Sequence, residues 1–249
     1  MTPEAFKRSI RDLQVWCSSC MVAFSGSDPI GVLIGAKRPS GTLIHKIAVH
    51  PDHRRQGHGR HLLTSLSSKL AILGPPRIIA EVPEALAPAC ELFGGGGYVE
   101  EAFLTDYVLE GPGTDVPAFE DFFTIPVTVD DLAANGLLGE TDRQVCWERS
   151  VETLTVRKGD IAGFAVASDE RIEAYVLYVN AGEIMAIQSL LDDDGARVKQ
   201  LLSRVRAHLK GSLRFPKVHP AELSKALLET LGFRPAGGHV LYAARARAD

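Results

Sequence analysis

Residues 47–63 read IAVHPDHRRQGHGRHLL and carry the most informative pattern in the chain. They connect an apolar run with strand character, Leu43–Val49, to leucines at helical spacing that begin at Leu62. Gly74 and two prolines end that helix, and a second strand-like run, Ile78–Val82, follows. Strand, loop, helix and strand in this order predict a βαβ unit with parallel strands and a right-handed crossover.

The loop inside this unit has the composition of an anion site. Arg54, Gly57 and Gly59 fit the pattern R-x-x-G-x-G between the strand and the helix. Glycine permits positive φ and a close approach of the backbone to a ligand. Free amides at the helix start and the helix dipole then favour an anion, and Arg55 and Arg60 add positive charge. We therefore expect a phosphate or pyrophosphate ligand here.

Two common phosphate loops fit this sequence poorly. The P-loop pattern G-x-x-x-x-G-K-[ST] is absent from the chain. The dinucleotide fingerprint needs a third glycine, where Leu62 stands.

The pattern resembles the pyrophosphate loop of the GNAT acyltransferase superfamily. Ile47–Val49 followed by Pro51 is similar to that family's "i-a-V-x-P" entry to the loop. Residues 82–98, VPEALAPACELFGGGGY, are similar to its stretch "V-x-x-x-N-x-x-A-x-x-L-Y-x-x-x-G-[FY]". The matching positions are Val82, Ala89, Leu92, Gly97 and Tyr98. The resemblance spans about residues 1–110.

This resemblance implies an enzyme that transfers an acyl group from acetyl-CoA, or another acyl-CoA, to an amine. It implies that the strand edge formed by Ile47, Ala48 and Val49 pairs with pantetheine through its backbone, with an oxyanion donor near Ala48 or Val49. It also gives the residues that would bind the rest of the cofactor, which are Arg54, Arg55, Gln56, Gly57, His58, Gly59, Arg60 and Phe93.

The candidate catalytic base is His45. The family often places a Glu four residues before the valine of "i-a-V", and His45 stands there in this chain. Imidazole titrates near neutral pH, which suits a general base. On a regular strand His45 shares a face with Ile47 and Val49, so a hydrogen-bonded core histidine is the competing interpretation.

Two departures from the family pattern leave the activity open. Leu86 replaces the helix Asn, and Phe93 replaces the Tyr that often protonates the leaving thiolate. Tyr98, Tyr107 or water remain as proton donors, and Gly94–Gly97 predict that the helix ends near Phe93. An acyl-CoA-binding sensor or scaffold without catalysis is therefore the alternative function, and a structural pair of domains that binds no CoA is a third.

The Gly- and Pro-rich segment 110–117 predicts a linker between two domains, residues 1–111 and 117–249. The second domain repeats the element order of the first, with Thr153–Val156 expected as a strand. We predict an α/β fold of two GNAT-like halves, each a mixed twisted sheet flanked by helices. The second loop is shorter and contains Asp192–Asp194, which predicts a degenerate repeat without a CoA site.

Composition and charge limit the possible partners and location of the protein. The chain has 249 residues and a net charge of −4, which argues against nucleic acid as a partner. It shows no membrane-spanning run and no leader in its first ten residues, so we expect a cytoplasmic protein. The first 111 residues are neutral overall, and the acidic remainder favours a cationic acceptor, either a small molecule or a peptide amine. Oligomeric state has no signal in the sequence.

Cysteines, histidines and tryptophans add little to this prediction. Five of the eight histidines lie between His45 and His61, yet no carboxylate or cysteine recurs at ligand spacing, so no metal site is expected. Cys17-x-x-Cys20 has no second pair, and we expect two buried thiols beside a strand. Trp16 and Trp147 are expected to be packing residues.

Overall fold

The computed structural model describes residues 2–111, 122–138 and 144–247. The chain forms two compact units, which are not consecutive in sequence. The first unit contains Met1–Phe103 together with His239–Asp249, and the second contains Leu104–Gly238. Of the predicted linker, residues 112–117 lie outside the described part of the chain.

The first half of the chain contains the predicted βαβ unit. Its elements are α1 Pro3–Leu13, β1 Met21–Ser25, β2 Asp28–Arg38, β3 Gly41–Val49, α2 His58–Leu73, β4 Arg77–Pro83, α3 Ala87–Gly95 and β5 Val99–Leu109. Of the leucines that predicted α2, Leu62, Leu63, Leu66 and Leu70 form its buried face and pack in one core with Ile44, Ile78 and Phe93, whereas Leu73 is exposed.

The second half of the chain repeats this series after two additional elements at its start, β6 Thr124–Val127 and α4 Val129–Ala134. The repeated elements are α5 Val151–Val156, β7 Ile161–Ala167, β8 Ile172–Val179, β9 Glu183–Ser189, α6 Ala196–Leu209, β10 Leu213–Val218, α7 Lys225–Thr230 and β11 Arg234–Arg245. A core around α6 and β10 includes Leu201, Phe215 and Phe233, and a further cluster lies around Leu132 and Leu177.

Strand pairing in the two units shows the same pattern. In the first unit β1, β2 and β3 are antiparallel, and β4 lies parallel to β3. In the second unit β7, β8 and β9 are antiparallel, and β10 lies parallel to β9. Helices α2 and α6 make the crossovers between the parallel strands, as βαβ connections require. The predicted mixed sheets with helices are confirmed.

The last strand of each half of the chain pairs with a strand of the unit that the other half forms. Residues 239–245 of β11 pair antiparallel with β4 in the first unit. Residues 105–109 of β5 pair antiparallel with β10 in the second unit. Each unit therefore contains a strand from the far end of the other half of the sequence, which no local pattern predicts.

One secondary-structure prediction was wrong. Residues 153–156 belong to helix α5 rather than to a strand, because the Ser150 hydroxyl caps the helix start at the amide of Thr153. Helix α3 ends at Gly95, near Phe93 as predicted, and Gly96 and Tyr98 donate their amides to the Phe93 carbonyl beyond it.

Trp147 is buried, as expected of a packing residue, whereas Trp16 is 55 % exposed. Cys17 is exposed and Cys20 is half-buried, whereas both thiols were predicted to be buried. No helix in the described ranges combines the length and the apolar character needed to cross a bilayer.

Candidate functional site

Strands β3 and β4 of the first unit separate soon after they begin. Their registered pairs are Thr42 with Ile78 and Leu43 with Ile79. Farther along, Ile47–Val49 remain paired with β2 on one side, while the described strands offer no partner on the other. On the side away from β2, the peptide groups of Ile47–Val49 therefore form an edge without a strand partner, where the Val49 carbonyl accepts from the Arg54 side chain.

A β-bulge lies where this separation develops. Gly35 of β2 pairs with Ile44, but its neighbour Ile34 pairs with Lys46, so His45 is the extra residue. A bulge re-aims the residues that follow it, and it is typical of sheet positions beside active sites. The His45 side chain is half-buried.

The loop after β3 contains backbone amides without protein acceptors. Arg55 and Gly57 both have positive φ, of +61° and +88°, and Gly57 precedes the first residue of α2 without a side-chain cap. Within the described residues, the amides of residues 55–60 donate to no protein acceptor. Alternating backbone conformations followed by a helix start form a concave anion site.

These amides border a cavity of about 680 Å³. One wall is the open edge Ile47–Val49, a second is the loop with the start of α2, and a third is α3 from Pro88 to Leu92. Gly59 allows the two helices to approach, because a Cβ at this position would lie 3.2 Å from the Leu92 side chain.

Most of the predicted cofactor-binding residues line this cavity. Those that do are Ile47, Ala48, Val49, Arg54, Arg55, Gly57, His58, Gly59 and Arg60. Gln56 does not line it, and its side-chain amide donates to the Asp52 carbonyl at 3.1 Å. Phe93 is 2 % exposed and points into the core, and His45 is also absent from the lining.

The charge of the lining is positive. Arg54 donates from Nε to the Val49 carbonyl at 3.0 Å, which holds its side chain against the end of β3. Arg55 and Glu91 form an exposed ion pair of 3.3 Å between the loop and α3. The sequence reasoning missed Glu91, although it immediately precedes Leu92, one of the positions that carried the resemblance. It is the only carboxylate in the described lining, against three arginines.

No tyrosine hydroxyl lines the described cavity. The Phe93 ring packs against Tyr98 and Tyr242 with centroid distances of 5.2 and 5.7 Å. The Tyr98 hydroxyl is buried with no partner in the described chain, and burial raises the pKa of this phenol. The hydroxyl of Tyr242 donates to Glu100 at 3.0 Å. Tyr107 is buried in the core of the second unit.

Known proteins share this architecture. A family model described as the acetyltransferase (GNAT) family matches residues 2–94. A solved structure described as a tandem GNAT protein from the clavulanic acid biosynthesis pathway aligns with 96 % of this chain and 87 % of its own, with a TM-score of 0.67 and 19 % identity. The chain has the tandem GNAT fold. The predicted resemblance and fold class are thereby confirmed.

Two further solved structures extend the likeness to the GNAT fold. One is described as a putative acetyltransferase from Pyrococcus horikoshii, with 16 % identity, a TM-score of 0.63, and coverage of 100 % of this chain and 81 % of its own. The other is a GCN5-related N-acetyltransferase from Sphaerobacter thermophilus, with 14 % identity, a TM-score of 0.65, and coverage of 92 % and 81 %. No curated protein sequence matches the chain.

The second GNAT-like half carries a different loop at the start of α6. Gly195 again has positive φ, +78°, before the helix. Here the Asp193 carboxylate accepts from the amides of Gly195 and Arg197, at 3.2 and 3.1 Å. The Arg197 guanidinium donates to the same carboxylate at 2.8 Å. A side chain of the protein thus occupies the helix start that is open in the first half.

Proposed function

We propose that the protein is an N-acyltransferase that moves an acetyl or other acyl group from CoA to an amine. The GNAT match supports acyl transfer in general. The observation that carries the specific proposal is that residues 55 and 57–60, whose amides are unpaired, line the same cavity as the free edge of β3. A thioester of CoA offers both a pyrophosphate for such amides and peptide groups for such an edge.

In this proposal the pyrophosphate binds the amides of the loop and of the first turn of α2. Arg54 and Arg60 contribute positive charge beside them, and the helix dipole acts in the same direction. Pantetheine pairs with the backbone of Ile47–Val49. Gln56 and Phe93 make no contact with the cofactor in this arrangement, since neither lines the cavity.

We assign the base role to His45. Its imidazole takes a proton from the acceptor ammonium through a bound water, because His45 lies outside the cavity lining. The free amine attacks the thioester carbonyl, and the amide N–H of Ala48 or Val49 stabilises the oxyanion. The tetrahedral intermediate then collapses as its C–S bond breaks: the nitrogen gives up its second proton to water, and water protonates the departing CoA thiolate.

The acceptor in this proposal is a small-molecule or peptide amine, encountered in the cytoplasm. The net negative charge of residues 112–249 favours a cationic acceptor through long-range attraction. A rate that does not change with salt concentration would contradict that preference.

Turnover with a panel of amines tests the proposal. Acetyl-CoA consumption is measured for the wild type, for Gly59→Asp and for the matched control Gly59→Ala. Both variants place a Cβ 3.2 Å from Leu92, but Gly59→Asp alone adds a negative charge beside the amides. We expect activity in the wild type, a loss of at least about a hundredfold in Gly59→Asp, and a much smaller loss in Gly59→Ala. Equal losses of activity in both variants would contradict an anion site at these amides.

A second candidate function is an acyl-CoA-binding sensor or scaffold without catalysis. It is favoured by the absence of a tyrosine hydroxyl from the described cavity, together with Phe93 in the buried core. Saturable binding of acetyl-CoA without turnover of any amine in the panel would establish this function instead. Turnover that is lost in His45→Gln with unchanged acetyl-CoA affinity would exclude it.

A further inference from the structure

Trp16 lines a second cavity of the first unit, which the proposed reaction does not use. The cavity has a volume of about 480 Å³ and lies between the segment before β1, the end of β2 and the end of α2. Its apolar walls are Trp16, Pro39, Leu73 and Pro75. We call it the Trp16 pocket. Its volume falls in the range of small-molecule sites.

The backbone holds Trp16 firmly although its indole is exposed. Its amide donates to the Gly35 carbonyl at 3.2 Å, and its carbonyl accepts the amide of Ser19 at 2.8 Å. Gly35 has no room for a Cβ, which would lie 2.5 Å from the Ser19 carbonyl. An indole that is 55 % exposed on a fixed backbone is a preorganised apolar surface.

The ionisable residues in the described lining of this pocket are cations, Lys37 and Arg38. The Lys37 ammonium donates to the Leu73 carbonyl at 3.0 Å, at the end of α2, where the helix dipole favours a positive charge. This bond uses one of three ammonium protons, so two remain for an anion. The Nε of Arg38 donates to the Gln14 side chain at 2.6 Å, which fixes its guanidinium.

We propose that the Trp16 pocket binds a small planar carboxylate. The carboxylate accepts from the Lys37 ammonium, and the ring of the ligand stacks on the Trp16 indole between Pro39 and Pro75. A neutral ring would lose the charge-assisted hydrogen bond, and an aliphatic carboxylate would lose the stacking contact.

This pocket is separate from the cofactor cavity. The two have no lining residue in common. They lie at opposite ends of α2, whose 16 residues span about 24 Å at 1.5 Å per residue. Binding in the Trp16 pocket is therefore independent of the proposed acyl transfer, and its test does not require activity.

The indole N–H resonances in NMR spectra report on the pocket, because the chain has two tryptophans. Trp147 is buried in the second unit and serves as an internal reference. The probes are 2-naphthoate and its neutral counterpart 2-naphthalenemethanol, added to the full chain. We expect 2-naphthoate to shift the Trp16 resonance saturably, the Trp147 resonance to stay in place, and the neutral probe to bind about tenfold more weakly.

Lys37→Met, in strand β2, is the decisive variant, and Lys69→Met is its control. Lys69 lies in α2 but outside the pocket lining. We expect Lys37→Met to weaken the binding of 2-naphthoate about tenfold and Lys69→Met to leave it unchanged, while wild-type positions for the other amide resonances of the first unit report that both variants are folded. Equal affinity in Lys37→Met, no shift of Trp16 at about 10 mM probe, or displacement of the probe by CoA would each overturn the proposal.

Discussion

The Asp193 carboxylate accepts both the backbone amide of Arg197, at 3.1 Å, and the guanidinium of the same residue, at 2.8 Å. It also accepts the amide of Gly195. The equivalent amides of α2 have no acceptor among the described residues. The two halves thus share a backbone at this point but differ in whether a side chain already fills the anion position.

This difference predicts one CoA per chain. The first half offers open amides and arginines, whereas Asp193 repels a phosphate from the second half. Isothermal titration with CoA should therefore give a stoichiometry near one, and Gly59→Asp should abolish it. Asp193→Ala should leave the stoichiometry unchanged, because the shorter second loop supplies no comparable arginine cluster. A second site in the wild type would contradict the proposed degeneracy.

Asp193 should also make stability depend on pH. Burial alone would raise the pKa of Asp193, but hydrogen bonds from Arg197 and Gly195 outweigh it and hold the pKa below its usual value. A carboxyl whose pKa is lowered by folding stabilises the protein above its unfolded-state pKa and loses this effect as pH falls through the folded-state pKa.

We therefore expect Asp193→Asn to be less stable than the wild type by about 1 kcal/mol at neutral pH. The difference should shrink as the pH falls below about 4. Urea unfolding at several pH values measures it, with exposed Asp192→Asn as the control. A difference that stays constant across this range would show that the charge of Asp193 contributes nothing.

A buried ion pair in the second unit should make a large contribution to the free energy of unfolding. Arg149 and Glu222 have side chains that are 1 % and 5 % exposed and form a two-bond contact over Phe215. Removal of one partner leaves a buried charge, so Glu222→Gln should lower the free energy of unfolding by about 3 kcal/mol.

The double variant Arg149→Met/Glu222→Leu should recover part of this loss, since neither charge then remains. Urea unfolding of the two variants beside the wild type measures both effects. If both variants are equally unstable, the lost free energy of unfolding comes from packing on Phe215 rather than from the unpaired charge.

Phe93→Tyr should not supply a proton donor to the reaction. The ring lies between Tyr98 and Tyr242 in the core, so a new hydroxyl would be buried rather than placed in the cavity. We expect no gain in kcat and a loss of about 1 to 3 kcal/mol in unfolding free energy. Turnover and thermal unfolding are compared with Phe93→Leu. An increase in kcat would place this side chain at the reacting thioester.

The exchanged strands make the first half dependent on the chain end. Residues 1–111 lack the part of β11 that pairs with β4 from Arg77 to Pro83, so they leave an unpaired edge. We expect this fragment to aggregate. A matched fragment that joins residues 1–103 to 239–247 through a flexible linker restores the strand and should be soluble. A folded monomer of residues 1–111 would show that β11 is dispensable.

The sequence predicted the βαβ unit and its loop because local chemistry determines both. Leucine spacing buries one face of α2, and glycine provides the positive φ at Gly57. Where the signals were mixed, the prediction failed. Thr153–Val156 contains β-branched residues typical of strands, yet a serine cap and the Thr155 hydroxyl bond to the Val151 carbonyl accompany a helix.

Partners that are distant in sequence were beyond prediction. The apolar run of β11 identifies a strand but carries no information about which strand it will pair with. In the same way, the pattern around Phe93 located α3 but not the direction in which its ring points. Trp16 was assigned a packing role by its residue type, whereas bonds to Gly35 and Ser19 hold its backbone at the surface.

The strand exchange also bears on how such a gene can change. Two repeats that each close their own sheet can be separated, reordered or fused to other genes as cassettes. Here a break between the halves removes a strand from β4 and another from β10 at once. A rearrangement that separated the two repeats would therefore disrupt both sheets, even if only the first half binds a cofactor.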